Sequence, residues 1–436
     1  MPNRITSKLH FGRLGRRVIE ADFTGGDLSS DGGLMLLRRI DSKIGLSAAV
    51  AKALGDPRDP DRITHPLRHL IAQRLYGICC GYEDLNDHDR LRDDLLMQTA
   101  VGSTAALASS PTLCRLERRA TRADALALNE VLVQQFIASH DGRTPEQIVL
   151  DVDASDVPLH GNQEMKQFHG YYDHYCYLPL YVFAGDAMLA CLLRPSRIDG
   201  ARHAAALIKL LVQRLRQVWP HTHFIVRADS GFCRQRLIRW CQRSDVGYII
   251  GLAKNERLKA LVAHWHDQMK QDWQQSQVKQ RRIEEFKYAA GSWDRPRRVI
   301  TRLQYDSRGT NPRFVVTNLA GDAQHLYDEL YCQRGEAENR IKEAQLDLFG
   351  TRASSQMFMA NWFRLMLAAL AYTLMQRLKV LALQGTELAR ATTATIRVRL
   401  LKIGAAVLRN TRRVRILLAS NHPLRGTFAR AVQALG

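Results

Sequence analysis

Three aspartates stand together at the end of one short apolar segment. Residues 148–159 read I-V-L-D-V-D-A-S-D-V-P-L and carry Asp151, Asp153 and Asp156. Alternate residues of a β-strand share a face, so the side chains of Asp151 and Asp153 are predicted to point the same way. Clustered carboxylates repel one another, and their burial is costly unless a cation compensates. Hard divalent ions such as Mg²⁺ take oxygen ligands of this kind.

A further aspartate ends another predicted strand. Asp229 follows the apolar run H-F-I-V-R-A and precedes Ser-Gly, where the chain is expected to leave the sheet and face a crevice. Aspartate also favours turns at such places, so this position alone does not separate a ligand from a turn former.

A third acidic group lies on a predicted helix, residues 331–345, with the sequence Y-C-Q-R-G-E-A-E-N-R-I-K-E-A-Q. At about 100° per residue, one face of this helix collects Tyr331, Arg334, Glu338, Lys342 and Gln345. Glu336 falls on the other side, so the periodicity selects Glu338 as the glutamate of the polar stripe. A solvated helix with a charge pair between Glu338 and Lys342 is the alternative interpretation of the same pattern.

Two strand-end aspartates and one helix glutamate can hold two divalent ions about 3.5–4 Å apart. Such a pair suits in-line attack on a phosphodiester, because one ion activates the incoming oxygen and the other stabilises the leaving oxygen. The predicted ligands are Asp153, Asp229 and Glu338, with Asp151 as a further candidate. The predicted ions are two Mg²⁺ or Mn²⁺.

The distribution of charge predicts a polyanionic partner. The chain has 436 residues and a formal net charge of +20. Residues 351–436 carry fourteen Lys or Arg residues against one acid, Glu387, so +13 of the +20 lies in the last fifth of the chain. A basic field of this kind concentrates nucleic acid and speeds the encounter with it. Nucleic acid is therefore the expected partner, and a basic surface that only keeps the protein soluble is the alternative interpretation. The carboxylates are kept apart from this positive surface.

Composition excludes several classes of protein. With 46% apolar residues the chain is predicted to fold into two or three domains. The longest apolar run, Leu365–Met375, is shorter than a membrane span and is predicted to be a buried core helix. The N-terminal stretch has no apolar signal-peptide core, and the eight cysteines form no C-x-x-C pair. We therefore expect a cytoplasmic, nucleoid-associated protein with reduced thiols, no zinc site and no membrane partner.

The predicted organisation is α/β with five regions. Residues after 145 read as three strands, a helix, a strand, a helix and a strand, which describes an antiparallel meander leading into an α/β crossover. The predicted regions are a helical N-terminal DNA-binding region (1–145), the first part of a catalytic core (146–252), a β-rich insertion (253–320), core helices (321–385) and a basic helical C-terminal region (386–436).

The three acidic segments together are similar to a known family. L-D-V-D-A-S, R-A-D-S-G-F and Y-x-x-R-x-x-x-E resemble the acid triad of bacterial insertion-sequence transposases of the DDE class, in the branch with a Tyr-Arg-Glu helix and a β-rich insertion. The resemblance covers roughly residues 145–380. It implies a ribonuclease-H-like core whose first and fourth strands are neighbours, which would bring Asp153 beside Asp229. It also implies that the protein moves, by cut-and-paste transposition, a DNA segment flanked by terminal inverted repeats. The two ends of that segment would be joined in a complex with a homodimer of the protein.

The resemblance assigns further roles to side chains. Tyr331 and Arg334 would contact the phosphates of the DNA end. Where the family has a lysine seven residues after the glutamate, this chain has Gln345, so Lys342, one turn earlier, takes that role. Trp293, in G-S-W-D-R-P-R-R, would stack a flipped base, since aromatic rings beside arginine bind unpaired bases.

Two other functions fit parts of the pattern. A phosphatase of the haloacid-dehalogenase type would use D-V-D-A-S, with Asp151 as nucleophile and Asp153 as general acid. Its downstream acidic motif does not match, because Asp322 and Asp328 stand at the wrong spacing. The other alternative is a non-catalytic DNA-binding repressor derived from a transposase.

Overall fold

The structure of the protein is a computed structural model, and it describes residues 8–436. The prediction that no signal peptide is present rests partly on residues 1–7, which lie outside the described residues. The chain divides into two compact units. Unit 1 combines Met1–Arg119 with Leu370–Gly436, and unit 2 is Ala120–Ala369.

The strands are numbered in chain order. They are β1 (Leu9–Leu14), β2 (Arg17–Ala21), β3 (Leu28–Ser29), β4 (Gln147–Ala154), β5 (Val157–Pro158), β6 (Gln167–His169), β7 (His174–Tyr177), β8 (Leu180–Ala184), β9 (Ala187–Leu192), β10 (His223–Ala228), β11 (Gly247–Leu252), β12 (Gln280–Tyr288), β13 (Arg297–Asp306), β14 (Gly309–Thr310), β15 (Arg313–Thr317), β16 (Ala405–Arg409) and β17 (Val414–Leu418).

The α-helices are numbered in the same way. They are α1 (Leu34–Ile44), α2 (Leu46–Leu54), α3 (Leu67–Cys80), α4 (His88–Leu91), α5 (Leu95–Val101), α6 (Ser110–Arg118), α7 (Arg122–Ala138), α8 (Ala204–Arg216), α9 (Gln235–Arg243), α10 (Glu256–Ser276), α11 (Ala323–His325), α12 (Gly335–Lys342), α13 (Phe358–Ala382), α14 (Thr393–Ile396) and α15 (Arg425–Ala434).

Unit 2 is built on one large sheet with the strand order β12-β13-β15-β11-β10-β4-β8-β9, and β14 pairs with β13. The strands β4, β10 and β11 run parallel, whereas β8 is antiparallel to both of its neighbours. The predicted succession of three strands, helix, strand, helix and strand is present as β4, β8, β9, α8, β10, α9 and β11. The prediction that the first and fourth of these strands are neighbours is confirmed, because β4 pairs with β10.

The two faces of the sheet differ in chemistry. Alternate residues of β4, among them Leu150 and Val152, pack into the larger apolar core with α8 and α9. Val149 lies on the opposite face with a smaller apolar cluster that includes Leu326 and Tyr327. Asp151 and Asp153 alternate with the first set, so they share the face of Val149, as predicted.

A helical segment covers this second face near the ends of β4 and β10. It begins with α11, continues through a π-helical stretch at Leu326–Tyr331 and a 3₁₀ turn at Cys332–Arg334, and ends with α12 and a second π-helical stretch at Glu343–Asp347. π-helical segments are rare and frequently occur at functional sites. The predicted helix over 331–345 is therefore present, although its winding is irregular.

Three of the predicted boundaries differ from the structure. The second strand of the predicted meander, which the sequence Y-C-Y-L-P-L-Y-V-F (175–183) suggests as one piece, is broken into β7 and β8 at Pro179, because proline has no amide hydrogen to donate to a sheet. The segment 253–320 contains four strands and α10, but it is not a separate sheet, since β15 pairs with β11 and extends the central sheet. Helix α7, expected in the N-terminal region, belongs to unit 2.

Unit 1 brings the two ends of the chain together, so the N-terminal and C-terminal regions are not separate domains. The C-terminal region is also not wholly helical, because β16 and β17 form a three-stranded sheet with β3. The Lys402 ammonium lies 2.7 Å from the buried carboxylate of Asp31. Gly33 is required here, since a Cβ atom at this residue would lie 2.2 Å from the carbonyl oxygen of Leu400.

Helix α13 is long and apolar enough to cross a membrane by length and composition. Of its most apolar window, 72% is buried inside the protein, which is typical of a core helix. This agrees with the interpretation of Leu365–Met375 as buried core.

A buried ion pair joins β4 to β10. Asp151 and Arg227 are register partners on these strands, and both side chains are almost completely buried. Arg227 donates from Nε and Nη2 to the two carboxylate oxygens, at 2.5 and 2.8 Å, and from Nη1 to the carbonyl oxygen of Leu330. One guanidinium therefore ties two strands and the covering helical segment together.

Replacing this guanidinium is expected to destabilise unit 2 strongly. Arg227→Met leaves a buried carboxylate without its bidentate partner, so the free energy of unfolding should fall by about 3–5 kcal/mol. Urea denaturation followed by circular dichroism measures the change. Arg234→Met is the control, because its pair with Asp199 is half-exposed and should contribute less than about 1 kcal/mol. Equal losses in the two variants would contradict the assignment.

Candidate active site

Asp153 and Asp229 come together because β4 and β10 are parallel and in register. Arg227 pairs with Asp151 and Ala228 pairs with Val152, so the next residues along the two strands are Asp229 and Asp153. Neighbouring strands are about 4.8 Å apart, and the two carboxylates start from adjacent backbone positions. The chain leaves the sheet directly after Asp229, whose side chain accepts a hydrogen bond of 2.8 Å from the backbone amide of Gly231. Asp229 therefore acts as a turn former and also faces the site.

The covering helical segment places a third carboxylate in the cleft that Asp229 lines, whereas Asp153 is not among the residues that line it. Tyr331, Arg334 and Glu338 line one cleft with Asp229, and the volume of the cleft is about 810 Å³. The predicted stripe of the helix is thus confirmed for these three residues. Glu336 is exposed on another side and does not line the cleft.

Arg334 lies between two of the carboxylates. Its Nη2 donates to Glu338 Oε1 at 2.6 Å, and its Nη1 donates to Asp153 Oδ2 at 3.4 Å. Arg334 is therefore a resident cation of the acidic cluster, and it separates Glu338 from Asp153.

The environment of Asp153 opposes its ionisation. The pKa of this carboxyl is raised to about 7, first by burial and then by the charges of Asp229 and Glu338, against the lowering influence of Arg334 and of the Ala154 amide. The charges of Asp229 and Glu338 therefore repel a negative charge on Asp153. An additional cation bound there would relieve that repulsion.

Asp151, the further candidate ligand, is not oriented towards the cleft. Its side chain is only 1% exposed, and both carboxylate oxygens accept hydrogen bonds from Arg227. A nucleophile must reach its substrate, so this burial also argues against the phosphatase alternative. The third aspartate of the opening segment, Asp156, accepts a hydrogen bond of 2.8 Å from His174 Nε2 if that nitrogen carries the proton.

The hydroxyl group of Tyr331, a residue that lines the cleft, lies close to Gly251. A Cβ atom on Gly251 would lie 2.7 Å from both the Tyr331 hydroxyl oxygen and the Ser230 amide nitrogen. Only glycine therefore lets the phenol approach the backbone that follows Asp229. Burial raises the pKa of the Tyr331 hydroxyl, so this group keeps its proton and can donate a hydrogen bond.

Gln345 and Lys342 have different positions although both were assigned to the same stripe. Gln345 is buried, accepts a hydrogen bond from the Ser155 hydroxyl, and donates to the carbonyl oxygen of Asp156. It therefore fastens the end of the helical segment to the loop after β4. Lys342 is exposed and does not line the cleft.

Trp293 lies in the loop between β12 and β13 and is half-buried against the larger core. Its ring makes an edge-on contact with Tyr288, with ring centroids 5.7 Å apart, and the Arg297 guanidinium lies 5.1 Å from its centroid. Trp293 does not line the cleft.

The cleft also contains basic residues that sequence reasoning did not identify. Lys254, Arg302 and Arg313 line it together with Asp229 and Glu338. Arg302 and Arg313 are direct cross-strand partners on β13 and β15, an arrangement that is unfavourable without an anion. The buried Nε of Arg302 has no hydrogen-bond partner among the described residues. The sequence gives little indication that Arg302 and Arg313 are neighbours, because only the register of β13 and β15 brings them together.

The donor set fits a hard divalent cation, since Asp153, Asp229 and Glu338 supply only oxygen ligands. As the side chains stand, no three His, Cys, Asp or Glu residues within 8–436 lie close enough to hold a metal ion. Arg334 accounts for this, because its guanidinium lies between Asp153 and Glu338. Convergence of the three carboxylates on one ion requires the Arg334 side chain to move.

The raised pKa of Asp153 predicts a specific dependence of stability on pH. The folded protein keeps a proton that the unfolded chain releases, so the free energy of unfolding should fall as pH rises from about 4 to about 7. Asp153→Asn removes this effect. With chelator present, the variant should be more stable than wild type by about 1–3 kcal/mol at pH 8, and the difference should vanish near pH 4.

Chemical denaturation at a series of pH values measures this difference. Asp267→Asn, at an exposed residue of α10, controls for the loss of one negative charge. A variant that is less stable than wild type at pH 8 would show that the Asp153 carboxylate is not under electrostatic strain.

Comparison with known proteins agrees with this geometry. A family model described as "Transposase DDE domain group 1" matches residues 11–436. No curated protein matches the chain significantly. A solved structure, the cryo-EM structure of a piggyBac transposase synaptic complex with hairpin DNA, is similar at 10% identity and a TM-score of 0.40. The match covers 86% of this chain and 80% of that chain, and we base no argument on so distant a likeness. Because the family model spans nearly the whole chain, this protein belongs to the DDE transposases of group 1.

Proposed function

We propose that this transposase is encoded by an insertion sequence, binds its terminal inverted repeats, and moves it by cut-and-paste cleavage and strand transfer. The observation that carries the proposal is the position of Asp229 and Glu338 on one cleft, with Asp153 beside Asp229 on the neighbouring strand and hydrogen-bonded to Arg334, which also lines that cleft. The strand order β9-β8-β4-β10-β11, with β8 antiparallel to its neighbours, supports a ribonuclease-H-like core.

The proposed cofactors are two divalent ions, Mg²⁺ or Mn²⁺, held by Asp153, Asp229 and Glu338. When bound, such ions polarise the phosphodiester and make the attacking oxygen more nucleophilic. The protein supplies the oxygen ligands and a cleft large enough for a DNA strand. Asp151 would act indirectly, because its pair with Arg227 keeps β4 and β10 in register.

The proposed path of the DNA follows the basic side of the cleft. Lys254, Arg302 and Arg313 can donate hydrogen bonds to phosphate oxygens, and a phosphate between the two arginines would offset their mutual repulsion. Tyr331 can donate its hydroxyl hydrogen to a phosphate from the bottom of the cleft.

Roles for Lys342 and Trp293 in DNA binding remain predictions. Lys342 is exposed beside the cleft-lining face of α12 and can reach a phosphate outside the cleft. Base stacking on Trp293 would have to use the part of its ring that Tyr288 and Arg297 leave accessible.

The proposed reaction consists of two displacements at phosphorus. Water attacks the phosphodiester at the transposon end and leaves a 3′ hydroxyl, which then attacks a phosphodiester of the target DNA. Neither displacement needs a covalent bond to the protein. Joining two ends in one complex favours a homodimer, and a substrate in the nucleoid favours a cytoplasmic location. The alternative of a non-catalytic repressor is disfavoured by the intact acidic cluster.

Loss of Glu338 is expected to abolish cleavage while leaving DNA binding in place. With Mg²⁺ and DNA carrying the inverted repeats that flank the reading frame, Glu338→Ala should cut at least about 10²-fold more slowly than wild type. Glu336→Ala is the matched control, because this residue is exposed and two positions away on the same helix. Gel analysis of end-labelled DNA measures both. Cleavage by Glu338→Ala at the wild-type rate would refute the assignment.

Arg334 should couple metal binding to DNA binding. Its guanidinium neutralises Asp153 and Glu338 in the protein without DNA, so it competes with an incoming cation. Arg334→Gln should therefore bind Mn²⁺ several-fold more tightly than wild type when DNA is absent, and bind the DNA end more weakly. Titration calorimetry and fluorescence anisotropy measure the two affinities.

Lys342→Gln provides the control for this coupling, since it removes the same charge from the same helix without touching the carboxylates. If the two variants bind Mn²⁺ equally in the absence of DNA, then Arg334 does not compete with the metal ion.

A further inference from the structure

The hairpin formed by β1 and β2 is exposed throughout. Every residue from Lys8 to Leu28 is solvent-exposed, and the two strands pair only with each other. Their register joins Leu9 to Ala21 and Leu14 to Arg17, so Gly15 and Arg16 form a two-residue turn. An isolated two-stranded hairpin is marginally stable in water at best. This hairpin, which we call the β-arm, therefore lacks a stabilising partner within the described residues.

The two faces of the β-arm have different chemistry. Opposite residues of an antiparallel pair share a face, and so do alternate residues along a strand. One face accordingly collects Leu9, Leu14, Arg17, Ile19 and Ala21, and the other collects His10, Arg13, Val18 and Glu20. The apolar side chains are strongly exposed, with Leu14 at 70% and the neighbouring Phe11 at 64%. An exposed apolar face of this kind marks a binding surface.

The charges of the β-arm are separated along its length. Its acids lie near the base, where Glu20 accepts a hydrogen bond from Lys8 and Asp22 accepts one from Thr24. Three arginines, Arg13, Arg16 and Arg17, lie around the turn at the tip. In the described part of the chain no acidic side chain forms a salt bridge with any of them. The tip therefore presents uncompensated positive charge beside apolar side chains.

We infer that the β-arm binds duplex DNA, with the tip arginines on phosphates and the apolar side chains against the groove. A two-stranded ribbon fits the major groove of B-DNA. Strands of this length extend about 20 Å, roughly six base pairs of DNA. A second copy of this chain is a poorer occupant, because the tip is cationic and each chain carries +20. That the polyanion is DNA rests on the proposed function. The inference adds that the β-arm is one of the elements that bind this DNA.

Removal of the tip charges tests the inference. The full-length triple variant Arg13→Gln, Arg16→Gln, Arg17→Gln changes only exposed side chains, so its fold should be unchanged. Binding to a fluorescein-labelled duplex of 30 base pairs would be measured by anisotropy without divalent metal, from 50 to 300 mM KCl. The variant should bind about tenfold to a few hundredfold more weakly at 100 mM KCl. The slope of log K against log salt should be smaller by about 2–3.

A matched variant separates the position of the charges from their number. Lys43→Gln, Lys52→Gln, Arg62→Gln removes three exposed charges from the same unit and should change the affinity by less than about threefold. Equal losses in both triple variants would overturn the inference, since net charge alone would then explain them.

Substitutions on the apolar face provide a second test, which distinguishes DNA from a second copy of this chain as the binding partner of the β-arm. Leu14→Ser with Ile19→Ser should weaken duplex binding and leave the molecular mass in solution unchanged. A dimer that dissociates in this variant, with duplex affinity unaltered, would show that the β-arm binds a second copy and would overturn the inference. Neither test measures cleavage, so a negative result in either would not affect the proposal that Asp153, Asp229 and Glu338 are catalytic. Conversely, a protein that does not cleave DNA could still bind it through the β-arm.

Discussion

The Arg227 guanidinium is the interaction on which the candidate site depends. It holds Asp151 on the neighbouring strand and the Leu330 carbonyl on the covering helical segment. These contacts join the three elements that carry the acidic cluster. A slip of one residue between β4 and β10 would turn Asp153 to the opposite face of the sheet, away from Asp229. The buried ion pair therefore keeps β4 and β10 in the register that places Asp153 beside Asp229, whatever its net contribution to stability.

Electrostatic strain in the cluster is what gives the site its chemistry. Burial and the charges of Asp229 and Glu338 disfavour the ionised form of Asp153, and Arg334 offsets this effect in part. In the proposed function a divalent cation would relieve this repulsion, and Arg334 would compete with that cation for the carboxylates.

Positive charge is arranged in separate places for separate tasks. Within unit 2, Lys254, Arg302 and Arg313 lie in the cleft beside Asp229 and Glu338, where the proposed function places the DNA strand. Within unit 1, the tip of the β-arm carries arginines that are exposed to solvent and lack acidic partners in the described chain. Phosphate contacts of both kinds position DNA without reading its sequence.

The sequence by itself determined the local elements and the identity of the acids. Strand alternation placed Asp151 and Asp153 on one face, and helical periodicity separated Glu338 from Glu336, because both patterns depend only on neighbouring residues. Only the tertiary structure decided that Asp151 forms an ion pair with Arg227, that Gln345 is buried, and that the segment 253–320 extends the central sheet. It also brought Arg302 opposite Arg313 and left the β-arm exposed. Those features depend on strand register and packing between distant segments, which no local pattern in the chain encodes.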